Sequence, residues 1–321
     1  MNKTNISLDV AKVPKELRFI LFAFALVFIL WPARVDAATI NVATGTSDVT
    51  SDSICQLDEA IENINNGTRT YADCVETGTY GSNDVINLPT GTITGSGSGF
   101  LIQESVKIVG RGKGTTTVTG RDLYLYGGSD LTSNFTLQDF TVSDSDSVQV
   151  GEVDHMTFSG MEIKSSEYDW IGIEITESER TDIINSHIHG TLNMGGSGFS
   201  QGVVARFNNS DSLDLNIENT TIDHLTQGIA LSYEGSAAPT SNLTVKNSTI
   251  TDIAGTAAYG SGSGFNSYGA IGIMVDPGSN DSQAVFNYTT INNTFSSSIA
   301  DNNATAIFEV GRDGDTINHT A

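Results

Sequence analysis

The stretch "LDLNIENTTIDHLTQGIAL" (Leu213–Leu231) alternates apolar and polar residues through Leu213, Leu215 and Ile217, breaks at Asn219–Thr221, and resumes at Ile222. A period of two puts one face of a strand inside. Asn, Ser or Gly in the break redirects the chain. The same frame recurs as "LTSNFTLQDFTVSD" (Leu131–Asp144), "VDHMTFSGMEIKSSE" (Val153–Glu167), "RTDIINSHIHGT" (Arg180–Thr191), "SNLTVKNSTITDIAGT" (Ser241–Thr256) and "QAVFNYTTINNTF" (Gln283–Phe295). Its closing apolar residues are Val142, Ile163, Ile188, Ile222, Ile250 and Ile291, spaced by 21 to 41 residues. No unit holds enough apolar surface to fold alone, so the units must stack and share a core.

Unequal spacing chooses among repeat folds. The regular leucine-and-asparagine frame of leucine-rich repeats is absent, and no run of helical period occurs between Leu131 and Ala321. A parallel β-helix tolerates turns of any length between short strands. The inserts Thr191–Ser212, Ser232–Thr240 and Gly255–Ser282 then become edge loops. "GVVARF", "GIAL" and "AIGIMV" read as further strands of the same coil. Upstream, Asp84–Thr94, Phe100–Gly120 and Asp122–Gly128 supply three to five more strands with glycine corners. A β-sandwich is the rival, but it carries no internal repeat. The expected fold is all-β, a single-stranded parallel β-helix.

Before the first rungs lies "SICQLDEAIENIN" (Ser53–Asn65). Leu57, Ala60, Ile61 and Ile64 fall on one helical face. Ser53 and Gln56 have capping-box spacing, Asp58 and Glu59 suit the first turn, and Gly67 can end the helix. A solenoid has an open apolar end, and this short helix suits it as a lid. Cys55 and Cys74 are the chain's only cysteines. In an exported protein one bridge between them would contribute about 3 kcal/mol; two buried thiols are the other reading.

"CQLDEAI" (Cys55–Ile61), "ADC" (Ala72–Cys74) and "DVINLPTGTIT" (Asp84–Thr94) together resemble the CSLREA domain, an amino-terminal module of bacterial surface proteins. Gln56 stands where the family has Ser, and Asp58 where it has Arg. The segment Leu101–Gly120 is similar to the usual continuation into a right-handed parallel β-helix of the pectate-lyase-like or polymorphic outer-membrane type. The resemblance covers Thr39–Gly120. It implies a bacterial secreted or cell-surface protein, adhesin-like, with no established chemistry for the module. The implied organisation is a signal peptide over 1–37, cap and first rungs over 38–120, and β-helix repeats over 121–321. "GRDGDTINHTA" (Gly311–Ala321) reads as half of another unit, so a longer chain is expected.

The apolar run Phe19–Trp31 follows four basic residues and precedes "VDA" (Val35–Ala37), the layout of a secretory signal peptide. An uncleaved anchor is the alternative. The whole chain carries a formal net charge of -23. Such a surface repels nucleic acid, which is excluded as a partner, and anionic lipid. Extracellular polysaccharide, or a protein on a host or neighbouring cell, remains open as the partner.

Candidates for chemistry are sparse. "SHIHG" places His187 and His189 on one face with Ile188 on the other, so both histidines should be exposed; two imidazoles and a nearby acid could hold zinc or copper. Asp144 with Asp146, and Glu152 with Asp154, are acid pairs of the kind any acidic chain throws up. Lys164, Arg180 and Arg206 are the basic residues a lyase groove could recruit. Tyr124, Tyr126, Tyr168 and Trp170 could stack on sugars. The turn "SDVTSDS" (Ser47–Ser53) offers calcium its oxygens without the spacing of a known loop. No catalytic set emerges. The sequence favours a non-enzymatic role in adhesion, envelope structure or glycan binding; a polysaccharide lyase or glycoside hydrolase is the alternative, requiring the basic residues to converge on acids in one groove.

Overall fold

Each repeat folds into a coil with three sides. The structure, a computed structural model, describes residues 36–128, 132–145, 147–167, 170–191, 200–207, 212–233, 240–254, 270–276, 285–296, 305–309 and 316–321. The amino-terminal apolar run, Asp146, Tyr168 and most of the three inserts lie outside the described residues.

Wall 1 comprises β1 (Thr39–Asn41), β3 (Asp84–Asn87), β6 (Val106–Val109), β9 (Asn134–Gln138), β16 (Asp214–Glu218), β19 (Thr240–Lys246), β22 (Val285–Ile291) and β25 (Thr316–Thr320). Wall 2 comprises β2 (Gly45–Ser47), β4 (Gly91–Gly95), β7 (Thr116–Thr119), β10 (Thr141–Ser143), β12 (Glu162–Lys164), β14 (His187–His189), β17 (Thr221–Leu225), β20 (Thr249–Ile253) and β23 (Thr294–Ser296). Wall 3 comprises β5 (Phe100–Ile102), β8 (Leu123–Tyr126), β15 (Ser200–Phe207), β18 (Gln227–Tyr233), β21 (Ile271–Asp276) and β24 (Thr305–Glu309). Two long strands, β11 (Val148–Ser159) and β13 (Trp170–Ile184), belong to wall 3 in their first half and wall 1 in their second. They bend at Glu152 and Glu177, which take φ of 52° and 57°. Among the described residues the ladders between these strands are parallel, and the fold is a right-handed parallel β-helix with a short amino-terminal helix. "GVVARF", "GIAL" and "AIGIMV" are strands of wall 3, as their composition requires.

The interior is filled by columns of like residues. On wall 2, Val142, Ile163, Ile188, Ile222, Ile250 and Phe295 stack in register. The repeat frame names Ile291 as the last member; the structure corrects this to Phe295. Ile291 pairs with Lys246 at the end of wall 1 and is exposed. On wall 1, Leu137, Phe158, Ile183, Ile217 and Val245 form an equivalent column. Wall 3 contributes Leu123, Val148, Ile173, Val203, Ile229 and Ile273. All but Phe295 are buried in one continuous core, and partly buried Phe295 packs against it.

The corner from wall 1 to wall 2 is the same in successive rungs. Asp139, Gly160, Asn185, Asn219, Asn247 and Asn292 all take φ between 50° and 65°. A single left-handed residue turns the chain, and Asn, Asp and Gly tolerate that conformation best. The next residues, Ser186, Thr220 and Ser248, are buried, and their side-chain oxygens accept backbone N–H bonds from the preceding rung. The other two corners differ from rung to rung: the inserts leave between walls 2 and 3 after Thr191 and Ala254, and between walls 3 and 1 after Phe207, Tyr233 and Asp276.

At the amino-terminal end, α1 (Leu57–Asn65) buries Leu57, Ala60, Ile61 and Ile64 in the core cluster. Its start corrects the sequence reading. Ser53 takes φ 72°, donates its N–H to Asp73 and does not cap; extended Gln56 is the N-cap, with its N–H on Glu59 Oε2 at 3.2 Å. Ser47 of wall 2 completes the cap by accepting the Asp58 N–H at 2.9 Å. Gly67 follows the last turn at φ 60°. Cys55 and Cys74 form a disulfide.

Candidate functional site

The outward residues beside the wall 2 column bring acids and bases from successive rungs together. Because Ile163, Ile188 and Ile222 point inward, their neighbours on each side point out. Register then stacks Glu162 on His187 and Thr221, and Lys164 on His189 and Asp223. His187 Nε2 lies 3.0 Å from Asp223 Oδ2, and His224 Nδ1 lies 2.7 Å from Asp223 Oδ1. His189 Nε2 faces Glu162 Oε1 at 3.5 Å. The two imidazoles stack, centroids 4.5 Å apart. Glu162 Oε2 accepts bonds from Thr141 Oγ1 at 2.8 Å and Lys164 Nζ at 3.3 Å.

Both histidines are less open than the sequence implies, with side chains 32% and 28% exposed. The reason is the rung above and below, which places an acid against each. Burial, then the charge of His187, holds the His189 pKa below its usual value, so its ring is neutral at neutral pH. Burial raises the carboxyl of Glu162, but its bonds from Thr141 and Lys164 outweigh that and leave it lowered. Asp223 behaves likewise: burial raises it, and the bonds from His187 and His224 bring it below the usual range.

Beside this cluster, the corner from wall 2 to wall 3 forms a trough. One part, of about 220 Å³, is lined by Asp144, Lys164, Ser165, Ser166, His189 and Thr191. It adjoins at Asp144 a second part of about 170 Å³, lined by Ser98, Gly120, Arg121, Asp122 and Ser145. Successive rungs each supply one to three of these residues, so the trough runs along the coil axis. Asp144, at φ 51°, accepts the Ser166 hydroxyl at 3.2 Å.

The remaining sequence candidates do not converge. Lys164 stands on wall 2, Arg180 on wall 1 and Arg206 on wall 3. Each is paired with an acid of its own wall, Glu162, Asp182 and Glu174 respectively. The groove of converging bases that a lyase needs is therefore absent from these three. On wall 1, Asp182 receives Arg180, His155 at 2.7 Å and Asn216, a saturated network that holds its pKa below the usual value although burial opposes this. Glu152 and Asp154 sit at the opposite corner from Asp144. Trp170 is core, 1% exposed, and offers no sugar a surface. Tyr124 and Tyr126 do face outward on wall 3. In the acidic turn, Asp52 accepts the Ile54 N–H and Gln56 Nε2.

Glu162 and Asp223 are the site residues that reading the chain linearly passes over. Their signal is present: each flanks an inward isoleucine at the same offset as the two histidines. Only alignment of the repeats on that column brings the four together.

No family model and no curated protein sequence matches the chain. Among solved structures it is similar to ORF18 of Geobacillus virus E2, at 11% identity and a TM-score of 0.34, covering 92% of this chain and 66% of that one. It is similar to the A-module of Azotobacter vinelandii mannuronan C-5 epimerase AlgE6, at 15% identity and a TM-score of 0.31, covering 84% and 96%. The catalytic unit of a GH87 alpha-1,3-glucanase from Streptomyces thermodiastaticus is a third, at 12% identity and a TM-score of 0.26, covering 74% and 62%. This chain thus spans about two thirds or less of the viral and glucanase structures. At such values the likeness says nothing of chemistry, and the architecture rests on the strand register.

Proposed function

We propose that the chain is an exported, bacterial cell-surface β-helix that binds an extended polysaccharide along the trough between walls 2 and 3, with Thr39–Gly120 acting as a CSLREA-type cap. The trough carries the reading. It is linear; the part at Arg121 and Asp122 exposes chiefly polar atoms, which suit hydroxyls, and the part at Lys164 and Thr191 exposes chiefly carbon, which suits the faces of sugar rings. A net charge of -23 directs the choice toward neutral or amino-bearing polymers and away from polyanions. Export is supported by the amino-terminal apolar run and by a disulfide, which persists outside the reducing cytoplasm. Amino-terminal sequencing of the exported product should begin at Ala38.

A second reading, turnover of the bound polymer by a lyase or hydrolase, is favoured by one observation. His189 lines the trough as a neutral imidazole beside an ionised Glu162, a group able to take a proton. One experiment separates the readings. The purified domain is incubated with a panel of neutral, amino-bearing and acidic polysaccharides, and both retention and new reducing or unsaturated ends are measured. Retention that is lost in Ser166→Trp, which places an indole at an exposed position of the trough lining, supports binding. New ends that vanish in His189→Ala support turnover. Retention of no polymer on the panel overturns both.

A further inference from the structure

We propose that Glu162, His187 and His189 form a binding site for a divalent first-row transition ion, with zinc the best fit. One ligand atom from each of the three lies within 4.8 Å of the others. Zinc holds nitrogen and carboxylate oxygen at about 2.0–2.1 Å, so small rotations of side chains already on one face close the set. Three protein ligands of the His, His, Glu type leave a fourth position open to water or to a ligand group. The donor chemistry excludes calcium and magnesium, which take oxygen shells; imidazole nitrogen selects zinc, copper or nickel.

Surrounding groups already orient the set. Asp223 accepts from His187 Nε2, which leaves the lone pair of a neutral His187 on Nδ1. Thr141 and Lys164 hold Glu162 Oε2, and Oε1 is the oxygen turned to His189. The strands beneath are short, parallel and locked by the buried Ile163 and Ile188, so the ligands are carried on a rigid sheet and not on a loop. The Lys164 ammonium opposes it, a positive charge beside a ligand that a cation would share. It sets the affinity below that of a closed structural zinc site and gives the proposal a distinctive test. Since His189 also lines the trough, the ion would sit at its wall, where the open position faces a bound chain. The metal site does not depend on the polysaccharide reading.

The test is titration of the tag-free domain with zinc(II) alone by calorimetry, with cobalt(II) absorption reporting coordination geometry. One equivalent should bind. His187→Ala and His189→Ala should each weaken binding by at least about tenfold. Lys164→Gln should tighten it several-fold, an effect no purely structural role of Lys164 would produce. His155→Ala, which removes an imidazole from wall 1, should leave it unchanged, and circular dichroism of each variant reports folding. Zinc bound equally by the His187→Ala/His189→Ala double variant, or no binding by the wild-type domain, overturns the proposal.

Discussion

In the cap, Asp58 of α1 meets Arg121 of the third rung through two bonds of 2.8 and 2.9 Å, with side chains 12% and 9% exposed. On wall 2, Glu162 meets His189 at 3.5 Å with 18% and 28% exposed. Arg121 also packs over the Phe100 ring at 4.6 Å and donates to the Gly99 carbonyl. Its ion pair therefore joins the helix to the rung that follows. Beneath Glu162 and His189, by contrast, Ile163 and Ile188 carry the packing, and the charged groups above can change without opening the core. A charge inserted between two elements serves the fold; a charge laid over a finished column is free to serve a ligand.

The strongest way to break this contrast is Arg121→Ala. It strands Asp58 in the cap, and the expected loss is about 3–5 kcal/mol in urea unfolding. The Asp58→Ala/Arg121→Ala double variant should lose less than the two single variants summed. A loss by Arg121→Ala within the range of ordinary surface changes would show that the pair does not hold the cap.

Next in size is the disulfide, which closes a sequence separation of 19 residues. Cys55→Ser/Cys74→Ser should cost about 3 kcal/mol and open α1 to proteolysis before the rungs. Equal protection of cap and rungs in that variant would place the two in one cooperative unit.

The two regions should also respond oppositely to pH. Glu59 is fully buried in the cap, and burial lifts its carboxyl above the usual 4.5. Its protonated form is the one the fold prefers, so cap stability is full below 4.5 and declines as pH rises toward the raised value. Asp182 on wall 1 is lowered from 3.8 by its Arg180, His155 and Asn216 bonds, against the effect of burial. Its contribution is present above 3.8 and is lost as pH falls through the lowered value. Hydrogen exchange between about pH 3 and about pH 7 should show cap amides loosening toward the neutral end and wall 1 amides toward the acid end. Parallel trends in both regions would refute the assignment of these two groups.

The smallest expected effect sharpens the comparison most. Glu162→Gln and His189→Ala should change stability by no more than about 1 kcal/mol, since both side chains are partly exposed and lie over the core without filling it. Thermal melts of these variants beside Arg121→Ala make the difference directly visible.

How much of this was legible depended on distance along the chain. The oily face of α1 was legible from its spacing, because residues one turn apart in sequence are neighbours in space. Its capping partner was not: the Ser47 hydroxyl arrives from wall 2. The charge of Asp58 acquires its meaning only with Arg121 opposite, 63 residues away. Ile291 was misplaced because two asparagines follow it, and only the left-handed φ of Asn292 fixes which residue turns the corner. Trp170 reads as a surface aromatic in isolation and is buried because β13 begins with it facing the core.

The sequence by itself determined the alternation that fills each wall and that short polar breaks with Asn or Gly turn the chain, since both are properties of a few adjacent residues. Only the tertiary structure decided which outward side chains meet. Vertical neighbours lie a whole rung apart, insert lengths vary between rungs, and the register that brings Glu162 to His187 and Asp223 to His189 is set by packing of the isoleucine column beneath them.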